Sequence, residues 1–439
     1  MVGNIDWGEL EVFPKFSEGK RFEENAFDRS LSYDDVNSDA VSGMKTDEVQ
    51  ETTIRAEPII FDILPGAYAY PIYHDSNDNE IENHGMYVGP YAEARANQYE
   101  DITVIGEPGS SVQVTLRNAL GAIKGTGESL ISNEGKAYVS IFDSAYNAVN
   151  LQAGDVIDIN VSDGSTHHIE MIGIDYIIDR DTWTIYGTGP KNVLLHLVNV
   201  RYDGFQEALT DSEGNFSQVM DRRLVGGRGF NVIYRPMTSH SIVFYQSIPL
   251  MRIYPLDDRI SGYGPLNSSA VINIRDSEGI LKQTANTTTN ESGYYYFYFD
   301  NTDIVTGDVV EINIGPLNYE QEVVPLIIEG DPENNIVYGT APSKGWLNVW
   351  GSQYFGPYNY YNHDSFYADT AGNYSVYFSE VSGGDDLEVM YWEEGHKDQI
   401  RMYGVIPTIY INRTTSFIYG YGGPNTTGNL EIRSSSGDV

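Results

Sequence analysis

Carboxylates gather at intervals along this chain, and where they gather they could hold a hard cation. Asp179 and Asp181 share one short stretch, Asp257 and Asp258 another, and Asp331, Glu333 and Asn334 a third. Glu100 and Asp101 mark a fourth, and the segment HDSNDNEIENHG offers Asp75, Asn77 and Asn79. Calcium takes six to eight oxygen ligands, which carboxylates mixed with Asn side chains and backbone carbonyls supply. Calcium, stiffening the junctions between structural units, is the one cofactor these residues suggest. The Asp75 segment departs from a calcium loop, with Glu80 where a glycine belongs and Met86 where a bidentate Glu belongs. The competing reading makes all of these acids solvated turn residues.

Other chemistry is sparser. Asn-x-Ser/Thr sequons at Asn160, Asn215, Asn267, Asn286, Asn290, Asn373, Asn412 and Asn425 are candidates for glycans in an extracellular setting. Asn also suits Asx turns without any sugar. The stretch WLNVWGSQYFGPYNYY brings Trp346, Trp350, Tyr354, Tyr358 and Tyr360 together beside Asn and Gln. That mixture fits sugar rings or a neighbouring protein, or plain core and edge packing. His167 and His168 adjoin, and neighbours on a strand point to opposite faces, so they cannot readily share a metal. The chain has no HExxH, GxSxG or phosphate-binding glycine loop, and its scattered acids single out no glycosidase pair. No enzymatic activity is expected within these residues.

Composition narrows the setting. The 439 residues carry 63 Asp plus Glu against 26 Lys plus Arg, a formal net charge of −37. Such a surface repels phosphate backbones, which argues against nucleic acid as a partner, and it favours solubility at a crowded surface or in salt. There is no cysteine, so disulfides and thiolate chemistry play no part. No run approaches the roughly 20 apolar residues of a membrane helix, and MVGNIDWGELEVFPKF lacks the pattern of a signal peptide. A hydrophobic content of 41%, with 34 tyrosines and 44 glycines, suits half-buried strands joined by tight turns.

The elements that must position these residues repeat. The segments SNEGKAYVSIFD, TDSEGNFSQVMD, TNESGYYYFYFD and ADTAGNYSVYFS place Gly135, Gly214, Gly293 and Gly372 at a constant spacing of 79. Apolar residues alternate after each glycine, which predicts a half-buried strand with Ala137, Phe216, Tyr295 and Tyr374 facing a core. A second motif precedes each turn (VIGEP, IYGTGP, ISGYGP, VYGTAP) and recurs as IYGYGGP. A third, Gly-Asp before an apolar run, follows in GDVIDINV, GDVVEINI and GDDLEVMY, while the second repeat has GGRGFNVIY instead.

Repeats of G-x-x-P, D-x-x-G-x-[FY] and G-D-x-[VL]-x-[VI] resemble the tandem immunoglobulin-like modules of prokaryotic surface proteins, such as archaeal S-layer-type proteins and adhesins. The expected fold is all-β: small immunoglobulin-like β-sandwich modules in an extended array, each touching only its neighbours. The expected divisions are a divergent region 1–98 with an acidic linker, modules 99–176, 177–252, 253–330 and 331–408, and a truncated fifth from 409 to 439. The resemblance implies a non-catalytic stalk, lattice or adhesin arm, extracellular at the cell surface. Its partners would be neighbouring surface proteins or polysaccharide, with self-association into a lattice or fibre. The alternatives are a carbohydrate- or receptor-binding module using the aromatic loop, or accessory repeats of a larger secreted enzyme.

Overall fold

The computed structural model describes residues 10–13, 68–74, 80–82, 86–87, 89–97, 101–200, 205–237, 239–352, 361–412, 414–415, 417–422 and 431. A small N-terminal sheet comprises β1 (Leu10–Phe13), β2 (Tyr68–His74) and β3 (Glu80–Glu82) in that order, with β4 (Met86–Tyr87) on β2.

Four seven-strand modules follow. The first comprises β5 (Tyr91–Asn97), β6 (Asp101–Ile105), β7 (Ser111–Arg117), β8 (Ile123–Leu130), β9 (Lys136–Ser140), β10 (Val156–Val161) and β11 (Thr166–Glu170). The second comprises β12 (Asp175–Asp179), β13 (Thr184–Thr188), β14 (Leu194–Asn199), β15 (Gln206–Leu209), β16 (Asn215–Val219), β17 (Gly229–Met237) and β18 (His240–Ser247). The third comprises β19 (Leu250–Tyr254), β20 (Arg259–Tyr263), β21 (Ser269–Arg275), β22 (Leu281–Thr288), β23 (Tyr294–Tyr298), β24 (Val309–Ile314) and β25 (Leu317–Glu322). The fourth comprises β26 (Ile327–Asp331), β27 (Ile336–Thr340), β28 (Trp346–Ser352), β29 (Tyr361–Tyr367), β30 (Asn373–Tyr377), β31 (Asp386–Trp392) and β32 (Gln399–Val405). A final hairpin joins β33 (Thr408–Asn412) to β34 (Phe417–Tyr421).

Within each module the first, second and fifth strands form one antiparallel sheet. The other four form a second sheet in the order fourth, third, sixth, seventh. Two such sheets face to face make an immunoglobulin-like sandwich. Alternation sets the inner faces: Val112, Val114 and Leu116 on β7 meet Ile157 and Ile159 on β10, all buried. Each fully buried branched side chain contributes about 1.5–3 kcal/mol. The residues predicted to follow the turn glycines on the core face are buried as expected; Gln218 and Phe297 are half-buried.

The constant glycine spacing has a backbone cause. The four turn glycines have φ between +75° and +95°. Their carbonyls accept the amides of Gly106, Gly189, Gly264 and Ala341, the residues that immediately follow the second motif's strand. The two motifs are therefore neighbours across the sheet, and they recur together because they bond to each other. One rung inward, Gly187 faces Phe216, Gly262 faces Tyr295 and Gly339 faces Tyr374. The missing side chain lets the Tyr374 hydroxyl reach the Ile327 carbonyl at 2.7 Å. In the first module both sizes change together, with Val104 opposite Ala137.

Two expectations need correction. The division at 99 falls after β5, and those at 177, 253, 331 and 409 cut through the opening strands β12, β19, β26 and β33. The Gly/Pro motif marks the second strand of each module, and the first lies upstream across a short turn. Nor is contact confined to adjacent modules, since Arg180 of the second bonds to Asp398 of the fourth, and adjacent modules do more than touch. Strand β5 of the first module pairs in parallel with β18, the last strand of the second, and β19 of the third pairs likewise with β32 of the fourth. Two seven-stranded sheets result, in the orders β15-β14-β17-β18-β5-β6-β9 and β23-β20-β19-β32-β31-β28-β29. One apolar core cluster runs through each pair of modules.

The pairing shows in the side chains. The hairpins β7–β8 and β21–β22 carry the same register shift, and Arg117 donates to the Gly121 carbonyl as Arg275 does to that of Gly279, each at 3.3 Å.

A Cβ at Gly339 would stand 1.9 Å from the Ile327 carbonyl oxygen, whereas one at Gly121 meets nothing within 4 Å. Gly339→Ala is expected to destabilise the fourth module by about 3 kcal/mol. Gly121→Ala, which suffers only its positive φ, should cost about 1 kcal/mol. Urea unfolding of the two variants checks the difference.

Candidate functional site

The outer face of the second seven-stranded sheet gathers aromatic and arginine side chains from both of its modules. On β19, Met251 and Ile253 point into the core, so Arg252 and Tyr254 point out. On β23, Tyr295 is buried, and Tyr294, Tyr296 and Tyr298 line the opposite side. From β28 come Trp346, Asn348 and Trp350, alternating with the buried Leu347 and Val349.

These side chains touch in sequence across the strands. The Arg259 guanidinium lies 3.7 Å from the Tyr254 ring centroid and 5.6 Å from that of Tyr298. Tyr254 stacks with Tyr403 at 6.2 Å, and Arg252 lies 5.4 Å from the Tyr263 ring. Tyr263, Tyr294, Tyr296 and Tyr298 continue as a chain of ring contacts of 5.5–6.2 Å. On the fourth module, Arg401 donates to Glu388 at 2.9 Å, and Trp392 Nε1 donates to Asn348 Oδ1 at 2.6 Å. Trp350 stacks on His363 and Trp346 meets Tyr367 edge-on. Burial pushes the Glu388 carboxyl above its ordinary range, with Arg401 pulling the other way. Flat rings alternating with fixed hydrogen-bonding groups can stack on a planar ligand face and fix its polar edge.

Sequence reasoning found Trp346 and Trp350 but missed the tyrosines of the third module. The available signal was YYYFY on β23, where aromatics occupy both faces of one strand. Tyr354, Tyr358 and Tyr360 lie outside the described residues.

Acids expected as calcium ligands also accept amides of their own turns or of neighbouring loops. Asp179 accepts the amides of Asp181 and Thr182, and Asp331 those of Glu333 and Asn334. Asp258 accepts the Ile304 amide, and Asp257 lies 3.4 Å from Arg259. Among the described residues no group of three or more His, Asp or Glu side chains is arranged to hold a metal. Asp75, Asn77 and Asn79 fall outside those residues.

Between Asp179 and Asp181 stands the feature that sequence reasoning passed over. Arg180 is 2% exposed and bonds bidentately to Asp398 of the fourth module, both contacts 2.6 Å. It also donates to the carbonyls of Lys397 and Pro249 and lies 3.8 Å from the Tyr319 ring of the third module. Burial works against its charge, but Asp398 overrides that, and the guanidinium is held firmly protonated. Lys397 pairs with Asp181 at 2.5 Å, and the Gly226 amide donates to the His396 carbonyl. Three modules thus meet at one arginine.

The sequons Asn160, Asn215, Asn267, Asn286, Asn290 and Asn373 are all exposed. Asn215 and Asn373 nonetheless donate to Asp211 and Asp369 of their own turns, and Asn290 Oδ1 accepts two turn amides. Asn412 lies on β33, and Asn425 is outside the described residues. Of the two paired histidines, His167 is buried and His168 exposed, on opposite faces as expected.

The Gly-Asp motif proves to be a buried staple. Asp155 accepts the Gln152 amide and the Lys124 ammonium at 2.6 Å, and Asp308 accepts the Val305 amide and Lys282 at 2.7 Å. Asp385 accepts the Ser382 amide but has no ion-pair partner among the described residues. In the second module Gly227 and Arg228 keep the same backbone bonds, to Ile248, without the carboxylate.

No known family profile matches the chain, and no curated protein matches it in sequence. Among solved structures it is similar to a tetra-tandem repeat in the extending region of a large adhesion protein, at 14% identity and a TM-score of 0.15, covering 72% of this chain and 99% of that one. It is also similar to the BSP domain of a biofilm associated protein, at 10% identity and 0.15, covering 69% and 92%. The FN1-FN3 domains of chicken CNTN1 match at 9% identity and 0.15, covering 53% and 96%. Scores this low carry no argument about function, and the fold assignment rests on the strand order itself.

Two outcomes follow from these contacts. Arg180→Met strands Asp398 in a buried site, which costs about 3–5 kcal/mol. Calorimetry should show the two module pairs melting further apart than in the parent chain. Removing the carboxylate charge should act with opposite sign in two modules. Asp308→Asn removes the ion pair while Lys282 keeps its bond to the Asp303 carbonyl, and should cost about 1 kcal/mol. Burial raises the Asp385 carboxyl, with the Ser382 amide lowering it and Glu380 and Asp386 raising it further. A raised carboxyl binds its proton more tightly folded than unfolded, so stability falls as pH rises from the unfolded to the folded pKa. Asp385→Asn should therefore raise the melting temperature at pH 7 and lose that pH dependence, as a pH series of thermal melts would reveal.

Proposed function

We propose that this chain is a non-catalytic structural arm at a cell surface, of the stalk, lattice or adhesin kind. The observation that carries the reading is the joining of modules by shared sheets and one buried ion pair. Loosely tethered binding domains need neither. A surface dense in carboxylates suits an extracellular, crowded setting. The reading extends to glycans on the exposed sequons and to calcium at the turn acids. Intact mass of native protein above that of the bare polypeptide supports the glycans; a bare mass removes them. A melting temperature indifferent to calcium and to chelator removes the cation. Surface labelling of intact source cells with an antibody decides the location, and an absence of label without permeabilisation rejects it.

A second reading is favoured by the aromatic face. Its rings and fixed amides suit polysaccharide, and the third and fourth modules would then grip a glycan rather than only carry load. On a glycan array the full chain should bind, and Trp346→Ala with Tyr296→Ala should lower affinity about tenfold or more, the worth of lost ring contacts. Equal binding by parent and variant would refute this second reading.

A further inference from the structure

We infer that each pair of modules is one mechanical unit, closed by a clamp between the first and last strands of the pair. Strand β5 opens the first pair and β18 closes it, and the two lie side by side in parallel, in register from His240↔Ala92 to Tyr245↔Asn97. The Tyr91 and Ser241 hydroxyls add a buried bond of 2.6 Å across the same pairing. Tension on the chain pulls β5 from its N-terminal end and β18 from its C-terminal end. Parallel strands pulled from opposite ends are loaded in shear, so the rungs share the force instead of opening one at a time. The load passes directly from β5 to β18, and the sandwiches strung between them are shielded from it.

The second pair repeats the device with a shorter clamp. Strands β19 and β32 are in register over Arg252↔Gln399 and Ile253↔Ile400 only, with Arg252 donating to Gln399 at 3.0 Å. The second clamp should therefore yield first. This inference rests on strand pairing alone and stands whether or not the chain is displayed on a cell.

Stretching the full chain between its ends in an optical trap tests it. The chain has no cysteine of its own, so terminal thiol handles attach uniquely. Each pair should let out its whole length together, roughly 50 nm for Tyr91–Ser247 at ~3.4 Å per residue. The release should come as one event, or as two with no rise in force between them. The Ala92 amide donates to the Ser239 carbonyl, so by alternation the Ala94 amide also points at β18. Ala94→Pro removes that rung and should lower the stronger of the two rupture forces by about half, leaving the weaker one unchanged. Separate releases of about 25 nm, one per module with the force recovering between them, would overturn the inference. So would an Ala94→Pro chain with both forces unaltered. If that variant fails to fold, the release lengths of the parent chain decide alone.

Discussion

A seven-stranded sandwich has open edges, and those edges govern the arrangement of this protein. The first and last strands of a module each present unpaired amides and carbonyls along one side, a template for association with any passing strand. Here the first strand of one module meets the last strand of the next, as β5 meets β18 and β19 meets β32. The continuous seven-stranded sheets, the joint cores and the broad aromatic face all follow from that pairing. Residues as distant as Tyr294 on β23 and His363 on β29 share one surface only because β19 and β32 join their sheets.

The pairs are then held to each other by charge in place of hydrogen-bonded strands. Arg180 is desolvated, yet it has a carboxylate, two carbonyls and a tyrosine ring arranged around it. A buried pair of this kind gains little over an apolar contact of the same shape, but it tolerates only one geometry. Its value lies in fixing how the second module sits against the third and fourth.

Much of the fold was legible in the sequence, because turn glycines and alternating apolar residues are local signals. Gly135, Gly214, Gly293 and Gly372 located the fifth strand of every module, and the core-facing side of that strand was read correctly, with Gln218 and Phe297 only half-buried. The opening strands were misplaced because Tyr91–Asn97 and its counterparts carry no Gly/Pro marker of their own. Pairing between β5 and β18 was invisible, since nothing local distinguishes an edge that meets water from one that meets another strand. The site was less legible still. From the sequence alone Asp179 and Asp181 read the same way, because acids in turns look alike whether they bind metal, cap amides or pair with a lysine. Arg180 between them read as an ordinary surface residue, and only its partner some two hundred positions away reveals otherwise.

The matching hairpins of the first and third modules carry a consequence for how such an array can change in length. Arg117, Gly121 and Lys124 recur as Arg275, Gly279 and Lys282, at twice the glycine spacing, and among the described residues the second and fourth modules show no Lys–Asp staple. Odd and even modules are therefore distinct parts, one offering its first strand and the other its last. Loss or gain of a single module by recombination would set like against like and leave both edges bare. Viable length variants of this architecture should differ by whole pairs, so that parity, not module number, is what inheritance must preserve.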